Sequence, residues 1–162
     1  MKPIFILIRG NSGTGKTTLA KELQSYFGYE QCLLLQQDVL RRSILHADDH
    51  KGTPAVDIIE TLVKFGFRHY PIVILEGILR KDVYGSMLRR LCKETKRKSL
   101  VYYVDIPFEL SLKFNRLKIQ PFAIQQLRKW WISKDYLTSD DTKLSSEKIE
   151  DLFERMVKDI NN

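Results

Sequence analysis

The sequence has little that belongs to secreted or membrane-embedded chains. It holds two cysteines, Cys32 and Cys92. That is too few for a disulfide framework, so both are expected to be packing residues in a reducing, cytoplasmic setting. Its longest apolar runs fall far short of the roughly 18–20 residues that span a bilayer. Met1-Lys2-Pro3 leads straight into a short apolar run and a glycine-rich turn, a pattern that differs from a signal peptide. There is no internal repeat, no low-complexity stretch and no linker. The three histidines, His46, His50 and His69, are too scattered for a metal site.

What is present suits one packed domain over residues 1–162. Hydrophobic residues make up 43% of the chain and charged residues 29%, which supports a core and excludes wholesale disorder. Twenty-seven Lys and Arg against twenty Asp and Glu leave a net charge of +7. Such a surplus suits an anionic ligand, either phosphate or nucleic acid, but also fits a merely basic surface.

Strands and helices alternate along the chain. Ile4 to Ile8 is a continuous apolar run of the kind covered on both faces in a parallel sheet. A helix follows from Lys16 to about Phe27, ended by Gly28. Cys32–Leu35, Pro71–Leu75 and Leu100–Val104 read as further strands. Helices are expected over Val39–Leu45, after Thr53-Pro54, around Val83–Leu91, after Pro107 and over Phe122–Lys134. Ile149, Leu152, Phe153, Met156, Val157 and Ile160 give the last helix the i, i+3, i+4, i+7 pattern. A fifth strand is expected near Thr142-Lys143-Leu144, where the pattern is faint. Strand–helix alternation implies a layered α/β domain with right-handed crossovers.

Gly10-Asn11-Ser12-Gly13-Thr14-Gly15-Lys16-Thr17 matches G-x-x-x-x-G-K-[ST] in full, between a buried strand and a helix. Glycines let successive N–H groups turn inward around a phosphate, and the helix start adds free N–H groups and a positive dipole end. Lys16 is expected at the β- and γ-phosphates and Thr17 at Mg²⁺. Thr18 borders this cofactor-binding loop, but its position is wrong for the metal and suits a helix residue. The absence of an Asn-Lys-x-Asp guanine motif favours ATP over GTP.

Ligands of open α/β sheets bind outside the carboxyl ends of the strands, where Asp38, Glu76 and Asp105 fall. Asp38 can serve as base toward an acceptor hydroxyl, or as a helix N-cap. Glu76 can hold Mg²⁺, directly or through water, or pair with Lys16 or an arginine. Asp105 reads as a turn residue. Arginines that can screen transferring charge or bind the acceptor are Arg41, Arg42, Arg80, Arg116 and Arg128, although each also reads as a solvated surface charge. Arg116 and Arg128 flank Leu117–Pro121, which has the look of a closing segment, so the lid is expected over about residues 116–131. Of Trp130 and Trp131, one is expected to pack that helix and the other to be partly exposed.

On these motifs the chain resembles the P-loop kinase group that includes small-molecule kinases, chloramphenicol phosphotransferase, zeta toxins and polynucleotide 5′-kinase. It also looks like small bacterial proteins labelled uridine kinase or zeta-toxin-like kinase. The parts that carry the likeness are the phosphate loop, Gln37–Arg42, Leu75–Leu79 and Leu127–Trp131. The resemblance implies a three-layer P-loop fold with a five-stranded parallel sheet of order 2-3-1-4-5 and a short helical lid. It implies ATP as donor, Mg²⁺ as cofactor, Asp38 as base, Arg41 at the acceptor's phosphate, and Arg128 and Arg116 as lid arginines. Glu76-Gly77-Ile78-Leu79-Arg80 departs from the Asp-Gly-Phe-Pro-Arg pattern of nucleoside monophosphate kinases. The expected activity is therefore phosphate transfer to a hydroxyl of a small acceptor. The rivals are a polynucleotide 5′-hydroxyl kinase and a nucleotide-binding regulator without an acceptor.

Overall fold

Strand β1 (Ile4–Gly10) is buried at every position, and its side chains divide between two cores. Ile4, Ile6 and Ile8 pack with Leu19 and Leu23 of helix α1 (Lys16–Phe27) and with Leu152 and Met156 of helix α6 (Ile149–Asn161). Phe5 and Leu7 pack on the opposite face, with Ile59 and Val63 of α2 (Ala55–His69) and Met87 and Leu88 of α3 (Lys81–Lys93). This two-residue alternation explains the unbroken apolar run: both faces of the strand are covered.

The computed structural model describes residues 2–93 and 97–162. β2 (Cys32–Gln36), β3 (Ile72–Gly77), β4 (Lys98–Val104) and β5 (Thr142–Leu144) complete a parallel sheet in the order β2-β3-β1-β4-β5. Order and strand number agree with the expectation, and the faint fifth strand exists as a three-residue edge. Helices α4 (Phe108–Arg116) and α5 (Ile124–Trp130) lie between β4 and β5 in sequence. Among the described residues no helix is long and apolar enough to cross a membrane.

The topology creates the site. β1 and β3 are neighbours, yet the chain leaves β1 for α1 on one face and β3 for α3 on the other. Their departing loops diverge and open a crevice at the carboxyl ends, where such sheets bind ligands.

Two expected helices differ in form. Val39–Leu45 winds as a π-helix, closed by His46 in the left-handed region, whose backbone N–H reaches the Arg41 carbonyl. π-helical turns are uncommon and concentrate at functional sites. The helix expected over Phe122–Lys134 is confined to Ile124–Trp130. At its start the Asn115 side chain holds the Phe122 N–H and C=O, at 3.0 and 2.8 Å. Past its end Asn11 holds the Ile132 N–H and C=O, at 2.9 and 2.7 Å. Each clamp takes backbone groups that a longer helix would need.

Gly66 sets the spacing between α2 and the sheet. A Cβ there would stand 2.8 Å from both Leu33 Cδ2 and Val73 Cγ2. Alanine favours a helix over glycine by about 1 kcal/mol, but overpacking costs about 1–3 kcal/mol. Gly66→Ala should therefore lower the urea-unfolding free energy by about 1 kcal/mol, and a rise in stability would contradict this packing.

Candidate functional site

The phosphate loop begins where the buried run of β1 ends. Gly13 and Gly15 take φ values of 76° and 89°, in the left-handed region open to glycine. At Gly13 a side chain would also press on the Ser111 carbonyl at 3.2 Å, so α4 packs directly against the loop. α1 starts at Lys16 with no side-chain cap, leaving its first N–H groups for an anion.

Lys16 is the centre of the site. Its side chain is buried, with 7% of the residue exposed. Nζ donates to the Asn11 carbonyl at 2.5 Å and reaches the Thr14 hydroxyl at 3.4 Å. Neither acceptor carries charge. Burial pulls the ammonium pKa down to about 8, against the attraction of Glu76 and Asp38.

Thr17 donates its hydroxyl proton to Glu76 Oε1 at 2.9 Å, and Gln36 Nε2 donates to the same oxygen at 3.2 Å. Gln36 and Glu76 are register partners on β2 and β3, which accounts for the second bond. The hydroxyl and carboxylate thus sit as an oxygen pair beside the lysine, of a chemistry that suits a hard cation. Glu76 spends its hydrogen bonds on Thr17 and Gln36, and its effect on Lys16 is longer-range.

Asp38 precedes the π-helical turn but makes no side-chain cap. Its carboxylate is 58% exposed and stands 3.8 Å from both Arg41 Nη2 and Arg42 Nε. Asp38 lines the same cavity of about 230 Å³ as Ser12–Thr18, Glu76, Leu117 and Lys118. The structure therefore gathers the loop, both proposed metal ligands and the proposed base around one space.

A second cavity, of about 550 Å³, adjoins the first at Ile78 and is lined by Arg41, Arg42, Arg80, Lys129 and Trp130. Arg41 donates to the Ala47 carbonyl at 3.0 Å, while its buried Nε has no hydrogen-bond partner and lies 4.0 Å from Asp49. Arg80 is held by Asp82 in a surface pair at 3.1 and 2.6 Å. The Arg42 guanidinium lies over Phe122 and Trp130, 5.6 and 5.9 Å from the ring centroids.

Arg116 and Arg128 line neither cavity; both are exposed, and Arg128 lies 4.9 Å over the Phe108 ring. Trp130 meets Phe122 edge-on, and Trp131 meets Phe108 in the same way. Asp105 accepts the Tyr136 hydroxyl at 2.6 Å, a structural tie.

Several residues that shape the site escaped the sequence reading. Asp49 accepts the Tyr84 hydroxyl at 2.5 Å and Gln37 Nε2 at 3.3 Å beside Arg41. Gln37 also accepts the Leu79 N–H at 2.8 Å, and Leu79 sits at a φ of 44°. Arg9, fully buried, donates to the Leu79 carbonyl and pairs with Asp135 at 2.7 Å. These partners are far apart in sequence and carry no motif. Lys118 was visible only as one residue of a loop.

Sheet order, glycine conformations and the lysine cup together define a kinase-like P-loop fold. Solved structures of the same fold include APS kinase of Mycobacterium tuberculosis in complex with AMPPNP and APS, with a TM-score of 0.71 at 12% identity over 99% of both chains. A gluconokinase from Sinorhizobium meliloti 1021 gives 0.69 at 11% identity, over 98% of this chain and 96% of that one. Shikimate kinase from Bacteroides thetaiotaomicron gives 0.64 at 15%, over 98% and 99%. The zeta toxin family model matches residues 1–120, and the chain belongs to the zeta toxin family. A stretch of 54 residues is 43% identical to a uridine kinase of Clostridium perfringens (strain SM101 / Type A). That match covers 32% of this chain and 26% of the relative's length.

The lowered lysine pKa has a measurable consequence. A polyphosphate anion that engages Nζ favours the charged amine, so binding should draw a proton onto Lys16 in the window between about 8 and its ordinary 10.5. Titration of ATP, whose phosphates are already fully deprotonated at pH 9, in buffers of different ionisation enthalpy should report net proton uptake at pH 9, and none at pH 6.5–7 from this group. Equal heats in all buffers at pH 9 would contradict it.

Proposed function

We propose that this chain is an ATP-dependent kinase that moves the γ-phosphoryl group of ATP to a hydroxyl of a small acceptor, such as a nucleoside, a sugar or an antibiotic-like molecule. One observation carries the reading: a buried ammonium with only neutral partners faces the same cavity as an aspartate that caps nothing. A triphosphate supplies the missing counter-charge, and the aspartate stands ready for the acceptor's proton.

Lys16 and the N–H groups of Gly13–Thr17 bind the phosphates, with Gly10, Asn11, Ser12 and Thr18 bordering them. Thr17 and Glu76 would hold Mg²⁺, directly or through water, and the cation would supply positive charge against the triphosphate. Asp38 takes the proton of the acceptor hydroxyl as its oxygen bonds to the γ-phosphorus and the bridging bond to the β-phosphate breaks, releasing ADP. Arg41, Arg42 and Arg80 bind the acceptor in the second cavity. Residues 116–131 act as the lid of a single-domain enzyme and exclude competing water. The thiols suit a reducing cytoplasm: burial raises Cys32 to about 12 and Cys92 to about 11, which keeps both unreactive.

A second reading has an observation of its own. The open cavity with three arginines, Lys129 and Trp130 suits a nucleic-acid 5′-hydroxyl end as acceptor. Transfer of γ-labelled phosphate across nucleosides, sugars, aminoglycosides, nucleotide sugars and 5′-hydroxyl oligonucleotides decides between them, because oligonucleotide transfer alone falls steeply with salt. With an acceptor in hand, Asp38→Asn should lower kcat by about 10²–10⁴ while ATP affinity stays within about twofold. Full kcat in that variant would remove Asp38 as base. ATP binding without transfer to any acceptor would favour a nucleotide-responsive regulator.

A further inference from the structure

Phosphoryl transfer needs positive charge on the moving group beyond what the loop lysine supplies. The sequence offers Arg116 and Arg128 for this task, but both stand outside the cavity. Lys118, although exposed, lines it together with Lys16, Asp38 and Glu76.

Its placement is fixed by a chain of contacts that starts at the phosphate loop. α4 abuts Gly13 through the Ser111 carbonyl and the Asn115 side chain; a Cβ on Gly13 would lie 3.2 Å from the first and 3.9 Å from Asn115 Cβ. Asn115 is 3% exposed and clamps the Phe122 N–H and C=O with both ends of its amide. Residues 116–121 are thereby closed into a short loop whose two ends are tied to each other. Inside that loop the Lys118 N–H bonds to the Asn115 carbonyl at 3.1 Å. The loop therefore carries its lysine at a set position relative to Gly13.

The Lys118 head group is lightly held. Nζ lies 4.7 Å from the centroid of Phe122, a ring that also lies under Arg42 on its way to Asp38. A cation over an aromatic face at a half-open site is worth about 0.5–1 kcal/mol, far less than a charge-assisted bond to phosphate. Partial burial lowers the pKa of the amine, against the attraction of Asp38 and Glu76, and Arg42 repels it. Two carboxylates that act on it without a contact pair and a soft aromatic rest leave the ammonium ready to move to a stronger anion.

We propose that Lys118 is the second phosphate-contacting cation of this site, leaving the Phe122 ring to meet the terminal phosphate of the bound triphosphate. The proposal rests on the kinase reading and adds a residue to it. It makes the chain depart from an arginine lid: the cation comes from the loop before α5, on the tether of Asn115. Leu117 and Ile119, at 84% and 101% exposure, flank it on the same loop.

The test is the preference for ATP over ADP. With Mg²⁺ present, calorimetry should give wild-type protein a clear preference for ATP. Lys118→Ala should weaken ATP binding by about 10-fold or more and change ADP binding by less than about twofold. Lys118→Arg should restore much of the preference. Lys113→Ala removes the same charge from an exposed position of α4 outside the cavity and should leave the ratio unchanged. Retained preference in Lys118→Ala would overturn the proposal. So would equal losses for both nucleotides, or a collapse in Arg128→Ala instead. Wild-type protein that binds neither nucleotide would overturn the kinase reading itself, and this proposal with it.

Discussion

A positive charge largely withdrawn from water, with two neutral oxygens as its hydrogen-bond partners, dominates this structure. Lys16 lies at the first turn of α1, under a loop whose glycines bring backbone close around it. Desolvation of an ammonium is expensive, and the Asn11 carbonyl and Thr14 hydroxyl offset only part of that cost. Glu76 and Asp38 help from a distance but form no contact pair with it. An arrangement of this kind, a buried ammonium with neutral acceptors beside free helix-start N–H groups, suits a polyanion without rearrangement of the loop.

Holding such a loop demands rigid neighbours, and the chain supplies them from unexpected places. Arg9, one residue before the loop, runs under it to Asp135 and to the carbonyl of Leu79. Leu79 is itself kept at a positive φ by Gln37. Asn11 turns its amide toward Ile132, so one loop residue faces Lys16 through its carbonyl and the end of α5 through its side chain. The phosphate loop, the strand that carries Glu76 and the return segment after α5 form one connected body. Gly13 extends that body to α4. The loop is therefore tied to both ends of the segment that carries Lys129 and Trp130 into the second cavity.

What could be read from the sequence follows from the range of the interactions. The loop motif, the two-sided burial of β1 and the stripe on α6 are local patterns, and each appears where its residues place it. Sheet order followed from the resemblance those motifs carry and agrees with the observed topology. The end of α5 was misplaced because the residue that stops it, Asn11, lies 121 positions away. Lys118 looked like any loop lysine, since the clamp at Asn115 cannot be seen without the fold. Arginines drew attention by type, yet two of the five line neither cavity. Asp38 is the converse case. Its position suggested both a cap and a base, and in the structure it makes no cap bond and lines the phosphate-loop cavity.

The most direct trial of this account is nucleotide binding to folded, magnesium-supplied protein, compared with Lys16→Met. The native protein should show one saturable ATP site per chain, weakened about 10- to 100-fold when the ammonium is replaced by an apolar side chain of similar length. Uptake of neither ATP nor GTP by the native protein, or equal affinity in the variant, would contradict it.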